Sequence, residues 1–100
     1  MNGTGIREEV IKEIIALAEK YAIAKVILFG SRARGDYHRA SDIDLAVYGG
    51  DVISFSLDVE EYTSTLLTYD VIDMNKKHQG ELVESIEKEG KVIYEKIWQL

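Results

Sequence analysis

Two aspartates separated by one residue, in the run "SDIDL", are the first side chains in this sequence with chemistry to offer. Alternate residues of a β-strand share a face, so Asp42 and Asp44 project together while Ile43 and Leu45 turn the other way and can pack. Two carboxylates that close repel, and ionising one makes ionising the other harder. A divalent cation removes the conflict. Hard oxygen ligands suit Mg²⁺, which keeps several waters and bridges to substrate phosphates. Asp70 and Asp73, in "YDVIDMN", offer a third acid; they lie three apart on an expected strand, face opposite sides, and only one can join the pair. Three carboxylates from two strands could hold two metals roughly 4 Å apart, an arrangement suited to in-line phosphoryl chemistry.

The hydrophobic run before this pair ends in Gly30-Ser31. Glycine lets a backbone approach a phosphate closely, and the Ser31 hydroxyl and exposed N–H groups can donate to its oxygens. An anion-binding turn beside a metal-binding pair suggests metal ions carried on a nucleoside triphosphate, whose charge would neutralise the aspartates. Arg32, Arg34 and Arg39 all fall in the connection that follows. Arg32 is the first candidate for the triphosphate because it is nearest the turn. Arg34 has the same option, or an ion pair with Asp36; Arg39 is the weaker candidate. Ser41 reads as an ordinary loop serine that could also orient the loop, and His38 reads as a surface residue. No role is assigned to His78.

These residues need a frame, and the hydrophobic pattern supplies one. Val10, Ile11, Ile14, Ile15, Ala18 and Tyr21 recur at helical spacing and predict an amphipathic helix over 6–22. "AKVILFG" predicts a strand buried on both faces, and "DIDLAVYGG" a second strand closed by two glycines. Ser54 is the expected cap of a helix running to about Leu67, with Phe55, Val59, Tyr62 and Leu66 as its core stripe. "YDVIDMN" predicts a third strand, and "QGELVESIEKEG" a helix with Leu82, Val83 and Ile86 inward. The last ten residues form a short extended or helical segment whose Ile93, Tyr94, Ile97 and Trp98 close the core or meet another subunit. Residues 1–5 are expected to be a flexible tail and 6–100 a single α/β domain, a small mixed sheet with helices packed on it.

Composition narrows the partners. The 18 acids outnumber the 12 bases for a net charge of −6, so a general grip on nucleic-acid backbone is not expected. No cysteine is present, which excludes disulfides, thiolate metal sites and a cysteine nucleophile, and agrees with a cytoplasmic location. The start lacks the pattern of a secretory signal, and the apolar runs are too short to span a membrane.

Phe29-Gly30-Ser31, ten residues, then Asp42-Ile43-Asp44-Leu45 resembles the signature of the DNA polymerase beta-like nucleotidyltransferases. More narrowly, "GSRARG" followed by "SDIDL" is similar to the minimal nucleotidyltransferases, and no signature position is missing. The resemblance runs from the first helix to "GKVIYEK" and implies the polymerase beta-like fold. It also implies that Gly30 and Ser31 hold the triphosphate, that Asp42 and Asp44 bind two Mg²⁺ (or Mn²⁺) ions, and that Asp70 completes the catalytic acids. Many such proteins pair with a HEPN-type partner as antitoxins, and some transfer AMP from ATP to a toxin tyrosine. The expectation is therefore AMP transfer from ATP to a hydroxyl, probed against two alternatives: a non-catalytic antitoxin acting by contact, and an antibiotic-modifying enzyme. Larger relatives carry an added helical domain for which this chain has no room, so a partner or a second copy is expected to complete the substrate site.

Overall fold

The computed structural model describes residues 3–97. Helix α1 (Glu8–Lys20) is followed by β1 (Lys25–Phe29), a short α2 (Gly30–Arg34), β2 (Ile43–Tyr48), α3 (Val52–Tyr62), β3 (Tyr69–Asp73), α4 (Glu81–Glu89) and β4 (Lys91–Glu95). The four strands form one sheet in the order β3-β2-β1-β4. β1 runs antiparallel to both β2 and β4, whereas β2 and β3 are parallel, because the chain between them crosses over through α3.

Strand parity divides the molecule into two layers of core. Val26 and Leu28 of β1 and Ile43, Leu45 and Val47 of β2 pack under Val10 and Ile14 of α1 and Phe55 and Val59 of α3. The alternate residues Ile27, Phe29 and Ala46 face the other way, against Ile86 and Leu82 of α4. β1 and β2 are thus covered on both faces, as their unbroken apolar runs require. Each fully buried Leu or Val in them contributes about 1.5–3 kcal/mol through loss of apolar surface to water. β3 and β4 are the edges; Ile93 and Tyr94 pack against the larger core, but Ile97 is exposed. Trp98 lies outside the described residues.

Helix α1 buries the stripe its periodicity predicts, with Glu8 and Glu9 in the first turn and Lys20 in the last, each complementing the helix dipole. Helix α3 departs from expectation at both ends. Its cap is Asp51, whose carboxylate accepts from the Ser54 N–H at 3.1 Å; the Ser54 side chain and then this N–H hold the Asp51 carboxyl below its usual range. It stops at Tyr62 because the hydroxyl-rich run after it leaves the helical path. The Thr63 hydroxyl meets Val59 O and the Tyr69 hydroxyl, while Glu13 of α1 takes the Ser64 N–H and hydroxyl at 2.8 and 2.7 Å. Tyr62 and Leu66, expected in the core stripe, are consequently exposed. Asp58 of α3 accepts from the Tyr21 hydroxyl and pairs with Lys20 at 3.8 Å, which ties the helix to α1.

The amino-terminal segment is not a loose tail in its described part. Thr4 is fully buried, and its hydroxyl accepts from the Ile6 N–H. Met1 and Asn2 lie outside the described residues.

Candidate active site

The end of β1, the start of β2 and the start of β3 come together at one end of the sheet. Phe29 is the cross-strand partner of Asp44, and Asp44 is the register partner of Asp70. Residues opposite one another share a face, so Asp44 has Asp70 beside it on β3 and the β1–α2 turn on its other flank. Asp42, two residues before Asp44, falls on the same side. Asp73 pairs with Val47 and has the opposite parity; its Oδ1 accepts from the Asn75 N–H at 2.9 Å and closes the turn after β3. Of the two acids left open by sequence, Asp70 is the one that register brings to Asp44.

Crowding of these acids has an electrostatic consequence. Burial, then the charge of Asp70, then that of Asp42 push the Asp44 carboxyl up to about 6, against a weaker opposing pull from Arg34. Asp42 and Asp70 are exposed at the rim. Asp42 Oδ1 accepts from the hydroxyl of Thr68, the residue just before β3. No sequence argument singled out Thr68; its place directly before "YDVID" was the only signal available.

Glycine is required at position 30. Its φ is +74°, and a Cβ there would overlap Asp44 Oδ2, with Asp44 Cγ 3.0 Å away. Ser31 follows as the second residue of α2, an element absent from the sequence reading. Its carbonyl accepts from the Gly35 and Asp36 N–H groups at 2.9 and 3.2 Å. Its hydroxyl makes no hydrogen bond among the described residues and is free to donate.

Arg32 corrects an expectation. Expected at the triphosphate, it is 1% exposed and occupied elsewhere. Its Nη1 donates to Thr4 O at 2.9 Å, Nε to Ser41 O at 3.0 Å and Nη2 to Arg39 O at 3.2 Å, and its guanidinium stacks 4.8 Å from the Tyr37 ring centroid. A planar five-donor fork suits such a cage of carbonyls. Arg32 therefore ties the amino-terminal segment to the loop that leads into Asp42. Gly5 completes the cage: a side chain there would meet the Arg32 guanidinium and the Tyr37 ring at 2.6–2.8 Å.

The other loop residues divide similarly. Arg34 forms the expected pair with Asp36 at 3.2 Å and a further one with Glu89 of α4 at 3.0 Å; Glu89 and then Asp36 raise its pKa. Ser41 does orient the loop, its hydroxyl accepting from the His38 N–H at 2.7 Å. His78 Nε2 lies 2.8 Å from Asp73 O and stays away from the acids. Arg39 is exposed, and its side chain has no hydrogen-bond or ion-pair partner among the described residues.

The donor set suits a hard divalent cation in kind: oxygen ligands only, on one face, with one carboxyl raised by burial and by its neighbours' negative charge. Among the described residues, no three acidic or histidine side chains converge as a ready cage. Asp42 shares Oδ1 with Thr68, and its Oδ2 has no such partner among them.

The arrangement is a glycine-serine turn beside a row of strand carboxylates. Residues 12–97 match the family described as "Polymerase beta, Nucleotidyltransferase". The chain belongs to this family of nucleotidyltransferases. Two similar proteins come from Methanocaldococcus jannaschii. "Putative protein adenylyltransferase MJ0604" is 38% identical over 99 residues, covering 87% of this chain and 97% of its own. "Putative protein adenylyltransferase MJ0126" is 35% identical over 88 residues, covering 79% and 90%. The fold is similar to that of a toxin–antitoxin crystal structure with AMP-PNP, with a TM-score of 0.69, 23% identity and coverage of 86% of this chain and 73% of that one. The crystal structure of "a putative nucleotidyltransferase from Sulfolobus solfataricus" is similar at a TM-score of 0.54, 28% identity and coverage of 86% of this chain and 78% of that one. The expected polymerase beta-like fold, a mixed sheet with packed helices, is thus the fold observed.

Proposed function

We propose that this chain transfers AMP from ATP to a hydroxyl group of a partner protein, as the antitoxin of a HEPN-type toxin pair acting in the cytoplasm. The observation that carries the reading is the wedge of Asp44 between Gly30 and Asp70, with its carboxyl raised to about 6 by burial and by two neighbouring acids. Such a site holds more negative charge than it can neutralise, which makes a metal-bound triphosphate a fitting ligand. The names of the adenylyltransferase relatives support AMP as the group and a protein as the acceptor. The fold shared with toxin–antitoxin structures supports the partner class.

In this reading Asp42, Asp44 and Asp70 would hold two divalent ions, both Mg²⁺ or, alternatively, Mn²⁺. When bound, the ions offset the phosphate charge and make the acceptor hydroxyl easier to deprotonate. Gly30 makes room for the Asp44 carboxylate and lets the turn's backbone approach the β- and γ-phosphates, and the Ser31 hydroxyl would donate to a phosphate oxygen. Asp70 accepts the acceptor's proton as its oxygen bonds to the α-phosphorus. The α–β anhydride breaks, and pyrophosphate leaves. Positioning and charge supply most of the rate, since the protein forms no covalent bond of its own.

The test is label transfer from α-labelled ATP, with Mg²⁺ and lysate of the source cells, to protein separated on a denaturing gel. A labelled band that disappears with Asp44→Asn supports the reading. An unlabelled lysate shown to contain the partner, with wild-type protein that is folded and binds ATP, would replace transfer with inhibition by contact.

A further inference from the structure

A surface cavity lies next to the acids, not over them. It is a groove of about 740 Å³ whose walls include Thr63, Ser64, Leu66 and Leu67 of the α3–β3 connection, Arg39 of the loop before β2, and Arg7. Leu67 is followed by Thr68, the residue bonded to Asp42, so one wall of the groove ends one residue short of a partner of the carboxylate row. Its order along the sheet matters. Gly30-Ser31 closes β1, Asp42 and Asp44 open β2, and Asp70 opens β3, neighbours in that sequence. In-line displacement puts the attacking and leaving oxygens on opposite sides of phosphorus. With the leaving pyrophosphate at the β1 end, the attacking hydroxyl arrives from the β3 end, where this groove opens.

The chemistry of its walls points to what carries that hydroxyl. Among the described residues no acidic side chain lines the groove, although the protein has a net charge of −6. Arg7 is spent on Glu9 and on Ser64 O, which braces the wall. Arg39 is exposed with its guanidinium unpaired among the described residues, and Leu66 projects fully into solvent. A cation beside an exposed apolar side chain complements a peptide with an acidic and an apolar residue.

We propose that this groove seats the polypeptide segment that carries the acceptor hydroxyl, with an acidic residue of that segment on Arg39 and an apolar one on Leu66. The assignment rests on the transferase reading above for its direction of attack.

The probe is a random glutamate–tyrosine copolymer, with a lysine–tyrosine copolymer as its counterpart. Binding is read by fluorescence anisotropy, transfer by α-labelled ATP, and ATP affinity separately by calorimetry. The wild-type protein is expected to bind the acidic copolymer more tightly, against its own net charge. Arg39→Glu and Leu66→Glu, both exposed positions, are each expected to weaken that binding about fivefold or more while ATP affinity holds. Asp44→Asn is expected to keep copolymer binding and lose transfer. Equal binding by wild type and both groove variants would overturn the assignment, as would no binding of the acidic copolymer. Loss of ATP affinity in the groove variants would also overturn it and assign the groove to the nucleotide. Copolymer binding that depends on Arg39, without any transfer from wild type, would sink the transferase reading and leave the groove as an acidic-peptide site.

Discussion

The carboxylate of Asp44 occupies the space that a side chain at Gly30 would fill. Two residues fourteen positions apart in sequence are thereby chosen together: the glycine admits the acid, and the acid forbids any larger residue at the glycine.

Gly30→Ala tests that dependence. The positive φ and the collision with Asp44 act in the same direction, and the expected loss of stability is about 1–3 kcal/mol. The double variant Gly30→Ala/Asp44→Ala removes the collision but keeps the backbone strain. In urea unfolding it should lose less than the sum of the two single changes.

The raised Asp44 carboxyl predicts a pH dependence with a definite sign. Its ordinary value is 3.8 and its folded value about 6, so between these the folded protein binds the proton more tightly than the unfolded chain. Stability therefore falls as pH rises from about 4 and levels off above about 6. Thermal melts of metal-free protein should show this decline, and Asp44→Asn should flatten it. Added Mg²⁺ at pH 7.5 should raise the melting temperature of wild type more than that of Asp44→Asn. An equal rise would remove Asp44 from the metal site.

Asp70 and Asp73 separate by the same logic. Asp70→Asn deletes a charge beside Asp44, so it should lower the Asp44 pKa and abolish transfer. Asp73→Asn touches a turn on the opposite face, keeps an amide oxygen to accept from the Asn75 N–H, and should leave transfer within about twofold and stability nearly unchanged. Side-chain carboxyl NMR and the label-transfer assay check the two halves.

Replacing Arg32 should behave as damage to a core. Arg32→Met leaves three backbone carbonyls without their donor, and a loss of about 2–4 kcal/mol is expected in urea unfolding. Arg32→Lys keeps the charge without the fork and should fall between the two. A surface arginine that only touched a phosphate would instead lower ATP affinity with stability intact.

Much of the frame was legible because it repeats. Val10, Ile11, Ile14 and Ala18 mark α1 by period, and the alternation of Ile43, Asp44, Leu45 and Ala46 marks both the strand and the face its acids share. Short or distant dependences were not. α2 is five residues long and has no period to detect. The end of α3 was misjudged because Leu66 and Leu67 prolong its apolar pattern, while the cause of its termination is a set of hydroxyl bonds to Glu13 and Tyr69. Arg32 looked like a loop charge because one wall of its cage comes from Thr4, 28 residues earlier, and Arg34 finds Glu89 55 residues later. The acids could be placed on one side by counting, and the resemblance pointed to Asp70 over Asp73, but the physical reason for that choice lies in the β2–β3 register.

Strand β2 serves the hydrophobic interior with one set of residues and the charged rim with the other, and this makes the molecule its own error check. A slip of one position in its pairing would turn Asp42 and Asp44 into the layer now held by Ile43 and Leu45. Each buried, unpaired carboxylate would cost several kcal/mol, comparable to the whole stability of a domain this small. Misaligned copies would unfold instead of persisting as inactive look-alikes, so a population of folded chains is one in which the acids are already in line.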